Sequence, residues 1–206
     1  MKNSIDSNYE LVLIIGDLHI PTRISCINDE IKKTLQLKKF QHIICTGNIG
    51  NHDTLDFLKT LCSNSGNFHL VKGDQESTEI LDINKNVSEI KTFKIGEFNI
   101  SLINGFQLVP WNDIESFNSI QRQTGCDILV SGFTHKQEIL QWEGKYYINP
   151  GTLTGAYSPL INDPPPSFIV LVISGDICIL YQYEFNSSLK IFDIKKFEIN
   201  KIKLEL

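Results

Sequence analysis

Short apolar runs alternate with stretches whose apolar residues recur every three or four positions. Leu11 to Ile15 is a continuous apolar run closed by Gly16, the pattern of a strand buried on both faces. Ile24, Ile27, Ile31 and Leu35 follow the turn at Pro21 at helical spacing, which predicts a helix. His42 to Cys45 reads as a second strand ending at Gly47, and Leu55, Leu58, Leu61 and Cys62 mark a second helix. Phe68 to Val71 is a third strand, closed by Gly73. This order, β-α-β-α-β, predicts a parallel sheet with crossover helices.

The period then shortens. Lys91 to Ile95 and Phe98 to Ile103 flank Gly96-Glu97 as a hairpin. Asn112 with Glu115 resembles a capping box, and Ile114, Phe117 and Ile120 give the helix after it one apolar face. Asp127 to Val130 is a buried strand ending at Gly132. Two more hairpins follow: Glu138 to Trp142 with Lys145 to Ile148, and Ser167 to Ile173 with Ile177 to Phe185. The tail from Leu189 to Leu206 alternates apolar and charged residues and predicts one or two exposed strands. Asn162 to Pro166, with three consecutive prolines, is a stiff surface loop. No repeat or linker divides the chain. The expectation is one domain over 11–206, preceded by a flexible extension over 1–10.

Composition narrows the function. A chain of 206 residues buries about 70% of its unfolded surface and needs no staples. Nineteen basic against twenty-four acidic residues leave a net charge of −5, which argues against a nucleic-acid groove or a polybasic membrane arm. No apolar run is long enough to span a bilayer. Met1 to Glu10 is polar and mixed in charge, unlike a signal or transit peptide. The five cysteines (Cys26, Cys45, Cys62, Cys126 and Cys178) form no Cys-x-x-Cys pair, so they read as small core residues in a reducing compartment.

Chemistry-bearing residues collect where the predicted strands end. Gly16-Asp17-Leu18-His19 follows the first strand, Gly47-Asn48 the second and Gly73-Asp74-Gln75 the third. Asn104-Gly105 follows the first hairpin, and Gly132-Phe133-Thr134-His135 the strand at 127–130. Parallel sheets place ligand sites at the carboxyl ends of their strands, and glycine lets the backbone turn there. One Gly-Asp pair says little; five such elements in this order say much.

That order resembles the calcineurin-like metallophosphoesterases. Closer still, it is similar to the vacuolar protein sorting twenty-nine family, the metallophosphoesterase-fold subunits of the retromer complex. The match is carried by Gly16-Asp17-Leu18-His19-Ile20-Pro21, Cys45-Thr46-Gly47-Asn48, Val109-Pro110-Trp111, Gln121-Arg122-Gln123, Thr134-His135-Lys136 and Tyr147-Ile148-Asn149-Pro150-Gly151, and it spans about Leu11 to Phe185. The resemblance implies a four-layer α/β/β/α sandwich. In active members two divalent metals at the rim activate a water and clamp phosphate.

Residue by residue, the resemblance implies a damaged site. Asp17, His19 and His135 match metal ligands. Asn48 stands where active enzymes have a bridging aspartate, Asp74 where they have asparagine, and Gln75 where a proton-donating histidine is common. Asn104 and Phe133 replace ligand histidines. The first metal position keeps three good ligands and a poor one, and the second keeps Asp74 with neutral amides and no imidazole. The expectation is therefore a non-catalytic protein that requires no cofactor and holds at most one weakly bound zinc or manganese. The plain alternatives are that Asp17 caps backbone donors, that His19 and His135 are satisfied rim histidines, and that Phe133 fills the space of a lost imidazole. His42, His52 and His69 lie outside the motifs and read as ordinary surface or strand-edge residues.

Two docking surfaces are implied as well. By resemblance, Val109, Pro110, Trp111 and the rim at Phe133 dock into the α-solenoid subunit of retromer, of the vacuolar protein sorting thirty-five family. Trp111 reads equally well as a core residue. Leu11, Leu35, Val170, Tyr181 and Tyr183 match a pocket that takes Pro-Leu segments of regulators of endosomal small GTPases, although each taken singly fits plain sheet packing. The implied role is a scaffold for endosome-to-Golgi sorting, cytoplasmic and peripheral on endosomes, touching the membrane only through the complex. A residual one-metal phosphodiesterase is the alternative. A module for a phosphorylated ligand is disfavoured, because Asp17 and Asp74 would repel it.

Overall fold

Side-chain alternation along the central strands decides the architecture. In the computed structural model, which describes residues 9–83, 87–111 and 113–201, strand β1 (Glu10–Ile15) sends Val12 and Ile14 to one face and Leu13 and Ile15 to the other. All four are fully buried, so the strand has apolar layers on both sides.

β1 pairs in parallel with β2 (His42–Cys45), which pairs in parallel with β3 (Phe68–Leu70). On its other edge β1 runs antiparallel to β9 (Ser167–Ser174), then come β10 (Ile177–Asn186) and β11 (Ile191–Asn200). These make a six-stranded mixed sheet ordered β11-β10-β9-β1-β2-β3. The second sheet has five strands ordered β4-β5-β6-β8-β7, from Ile90–Ile95, Phe98–Ile103, Ile128–Val130, Lys145–Pro150 and Gln137–Trp142 respectively. All three expected hairpins form, and the tail contributes one strand at the edge of the larger sheet.

Three apolar clusters mark three interfaces between four layers. Val12, Ile14, Ile44 and Val71 meet Ile100, Leu102, Ile128 and Val130 between the sheets. Leu13, Ile15, Ile43 and Cys45 pack outward against Ile31 and Leu35 of α1 (Asp29–Gln36) and Leu55 and Leu58 of α2 (His52–Leu61). Ile103, Leu129 and Tyr147 on the far face of the smaller sheet cover Phe117 of α4 (Ile114–Thr124). The result is the expected α/β/β/α sandwich.

Four local differences have physical reasons. The first helix begins at Asp29, where Asn28 caps it, and Ile24 and Ile27 lie in the turn region before it. Ile27 is buried nonetheless, so apolar spacing there reports anchoring of a loop. A six-residue helix α3 (Thr78–Ile83), unanticipated from the sequence, buries Ile80. The cap of α4 is Asp113, which accepts from the N–H groups of Glu115 and Ser116; Asn112 lies outside the described residues. At the amino end Glu10 already pairs with Ile173, while residues 1–8 of the expected extension are outside the described residues.

Candidate functional site at the strand ends

The loops after β1, β2, β5 and β6, with the one after β8, converge on one rim. Asp17, His19, Asn48, Phe133 and His135 all have positive φ, between 50° and 75°. They are five of the seven non-glycine residues in that region among those described, the other two being Glu143 and Lys190. Left-handed backbone at branched or aromatic side chains persists only when the surroundings hold it. Here they do. The Asp17 N–H donates to Gly47 O and the His19 N–H to Asn48 O, at 3.1 and 2.8 Å. The hydroxyls of Thr152 and Thr154 donate to the carbonyls of Asp17 and Leu18. The Asn149 amide donates to Gly132 O and Thr134 Oγ1. Gly132 is required by close approach: a Cβ there would sit 2.5 Å from Asp17 Oδ2.

Asp17 is completely buried. Its Oδ2 accepts from the Phe133 N–H at 2.7 Å and its Oδ1 from Asn48 Nδ2 at 3.3 Å. Burial nevertheless pushes its pKa up to about 7. His135 Nδ1 lies 2.6 Å from Ala156 O, so that nitrogen carries the proton and donates. Its Nε2 is then a lone pair, 3.2 Å from His19 Nε2 and 4.0 Å from Asp17 Oδ1. Burial lowers both imidazoles, His19 to about 3, so both are neutral. One ligand atom from each of Asp17, His19 and His135 falls within 4.8 Å of the others. This donor set, one carboxylate and two neutral imidazoles, fits a single divalent ion of the zinc or manganese kind.

The second position is built differently. Asn48 Oδ1 accepts from the Gln75 N–H at 3.0 Å, which fixes the amide orientation and turns its nitrogen toward the carboxylates. Asn48 Nδ2 donates to Asp74 Oδ1 at 2.8 Å as well as to Asp17. Asn104 Nδ2 donates to Thr46 O at 2.7 Å, and the buried Asn104 Oδ1 and Thr46 Oγ1 have no hydrogen-bond partner. No imidazole is hydrogen-bonded to Asp74 among the described residues. A donor NH2 occupies the space between two carboxylates where a second ion would need oxygen or nitrogen lone pairs. The residues at this position do not fit a second metal.

Phe133 reaches the site through its backbone. Its ring is half-buried and leans on Trp111 at 4.9 Å between centroids. Trp111 is 47% exposed and Val109 74% exposed, with Pro110 also exposed between them, so this tripeptide is an apolar surface loop and no part of the core. Trp111, Leu160 and Ile161 line an adjoining hollow with Thr134 and Lys136. Away from the rim, Leu11, Leu35, Val170, Tyr181 and Tyr183 all line one open groove with Phe40 and Phe168 at its floor.

Two residues that hold the rim were missed in the sequence. Glu76 accepts from the N–H groups of Asn48 and Ile49, at 2.7 and 3.0 Å, and so clamps the loop that presents Asn48. Its only sequence signal is an acid two residues past Gly73-Asp74. Arg23 donates to Tyr157 O and Gln75 Oε1 and lies over the Tyr157 ring, tying three loops together at the mouth. Its charge helps keep His19 and His135 unprotonated.

Comparison with known proteins identifies the family. The calcineurin-like phosphoesterase superfamily domain matches residues 11–176, which sets the class. Vacuolar protein sorting-associated protein 29 of Schizosaccharomyces pombe is 34% identical over 177 residues, covering 84% of this chain and 90% of that protein. The structure of vacuolar protein sorting 29 from Cryptosporidium parvum superposes with a TM-score of 0.85 at 35% identity, over 94% of this chain and 99% of that one. The zinc complex of the Entamoeba histolytica protein gives 0.83 at 38% identity, over 92% and 99%. The chain is a member of the vacuolar protein sorting-associated protein 29 family, within the calcineurin-like phosphoesterase superfamily.

Proposed function

We propose that this chain is a non-catalytic scaffold subunit of retromer. The carrying observation is the Asn48 amide, which donates to both Asp17 and Asp74 and satisfies the rim internally where a catalytic pair of ions would sit. The exposed Val109-Pro110-Trp111 loop supplies rigid apolar area beside that rim, which suits a docking hot spot for the α-solenoid subunit. The groove at Leu11, Leu35, Val170, Tyr181 and Tyr183 suits a short Pro-Leu segment of a regulator. The protein acts on the cytoplasmic side of endosomes, reaching the membrane through its complex; no helix among the described residues is long and apolar enough to cross one. Val109→Asp should abolish capture of the solenoid subunit and leave the circular dichroism spectrum unchanged. Full-strength capture by the charged variant would overturn the docking assignment.

A second reading, a one-metal phosphodiesterase, is favoured by the convergence of Asp17, His19 and His135. Zinc or manganese titration against a chromogenic phosphodiester separates the two. The scaffold reading expects no turnover above buffer. Metal-dependent turnover that disappears in Asp17→Ala would replace it.

A further inference from the structure

The outer edge of the six-stranded sheet is β11, and no described strand pairs with its free side. It is ten residues long, and Ile191, Ile194 and Phe197 on it are 50%, 54% and 41% exposed. A long, partly apolar edge offers a ladder of unpaired backbone groups, and proteins usually blunt such edges. Lys195 and Lys196 would serve that purpose alone. Asp193, beside them, changes the picture.

Side chains of one strand alternate between faces. When an edge strand continues its sheet by pairing antiparallel with its own copy about a two-fold axis normal to the sheet, opposed residues share a face. The two residue numbers in every opposed pair are therefore both odd or both even, and the axis passes through a residue. With the axis at Asp193, two aspartates oppose each other. With the axis at Lys195 or Lys196, two lysines do. With the axis at Ile194, Asp193 opposes Lys195 of the second copy, and Lys195 opposes its Asp193. In that register Ile191 opposes Phe197 twice, and Ile194 opposes itself. The three exposed apolar residues all gain apolar partners, and both opposite-charge pairs form at once.

The neighbouring strand strengthens the match. Asp193 lies directly across from Glu184 in the ladder between β10 and β11, on the same face, so the lysine of the second copy would meet a carboxylate backed by another. Neither Asp193 nor Lys195 forms an ion pair among the described residues.

We propose that β11 is a homotypic docking edge, pairing with β11 of a second copy of this chain across a two-fold axis at Ile194. The pairing joins two six-stranded sheets into one. Its occupant is a second copy because the edge complements itself about Ile194 in both charge and apolar pairs, whereas the registers about Asp193 and Lys195 oppose like charges, and the register about Phe197, which also pairs opposite charges, sets Ile194 against Asn200 and draws on Lys196 and Lys201, already paired within the chain. The contact is a single pair of strands, so its class is the weak, transient one.

Sedimentation velocity of the full chain, run from low micromolar to millimolar concentration, tests this. A reversible monomer–dimer equilibrium is expected. Asp193→Lys sets lysines against lysines, and Lys195→Asp sets acids against acids, so each should weaken the dimer at least about tenfold. An equimolar mixture of these two variants restores both pairs with opposite charges and should dimerise again, as should the double swap Asp193→Lys, Lys195→Asp alone. Both positions are exposed, so thermal unfolding should match the unsubstituted chain. A monomer at every concentration overturns the proposal. So does a dimer indifferent to the single swaps, or one that the mixture fails to restore.

Discussion

At Asn48 a single carboxamide both donates and accepts, where a bridging carboxylate could only accept. It donates to Asp17 and Asp74 through one atom and accepts from the Gln75 N–H through the other. Glu76 makes that arrangement possible by collecting the N–H groups of Asn48 and Ile49. Glu76→Ala leaves those donors without their partner at a half-buried position, so we expect a loss of about 1–3 kcal/mol in urea unfolding. A loss near zero would mean that water replaces the carboxylate without penalty. His69 shows how burial converts a plain residue into a pH-dependent one. Its ring stacks on Phe93 at 3.7 Å and on His42, its Nδ1 has no partner, and burial holds its pKa at about 3 against an ordinary 6.5. As pH falls below 6.5 the unfolded chain takes a proton that folded His69 refuses, so its contribution is present above 6.5 and lost toward 3. Asp17, raised from 3.8 to about 7, works in the opposite sense over much of that window. The difference between the native chain and His69→Phe isolates the histidine. The variant should lose less stability between pH 7 and pH 4, measured by denaturant unfolding at each pH.

Among the elements, periodicity was a good guide wherever the apolar run was continuous. β1, β2, β6 and β9 are buried on both faces and lie where their runs lie. It failed where apolar residues anchor loops, as at Ile27, and where a helix is too short to show a period, as in α3. The cap of α4 shows the same limit at finer grain. Asn112 and Asp113 are both good capping residues, and local preference cannot choose between them. The structure uses Asp113, whose carboxylate also opposes the positive end of the helix dipole. Asp113→Ala should therefore lower stability by about 1 kcal/mol. The site divides in the same way. Asp17, His19 and His135 were legible because glycines and strand ends bring them to one rim. The orientation of the Asn48 amide, Arg23 and Glu76 were not, because each depends on partners from loops distant in the chain. Trp111 could be settled only by its surroundings: with the layer between α4 and the smaller sheet filled by Phe117 and Tyr147, its ring stays outside on Phe133.

On the scale of the whole molecule, the rim joins the two sheets, since Asp17 and Asn48 follow strands of one and Phe133 and His135 follow a strand of the other. Its charge balance is therefore a term in global folding. In the native chain the Asn48 NH2 lies between Asp17 and Asp74 and offsets their repulsion. Asn48→Asp would remove both donated hydrogens and set a third carboxylate between two others. With metal chelated, this variant should melt several degrees below the native chain, as a loss of about 1–3 kcal/mol implies for a domain of this size. Added zinc should then stabilise the variant more than the native chain, because an ion that binds only the folded state contributes its binding free energy to folding. Thermal unfolding of both proteins in chelator and across a zinc titration reads the two effects together. Equal zinc-induced shifts in the two proteins would show that Asn48 does not face the ion, and that the amide does not stand in for a cation between the carboxylates.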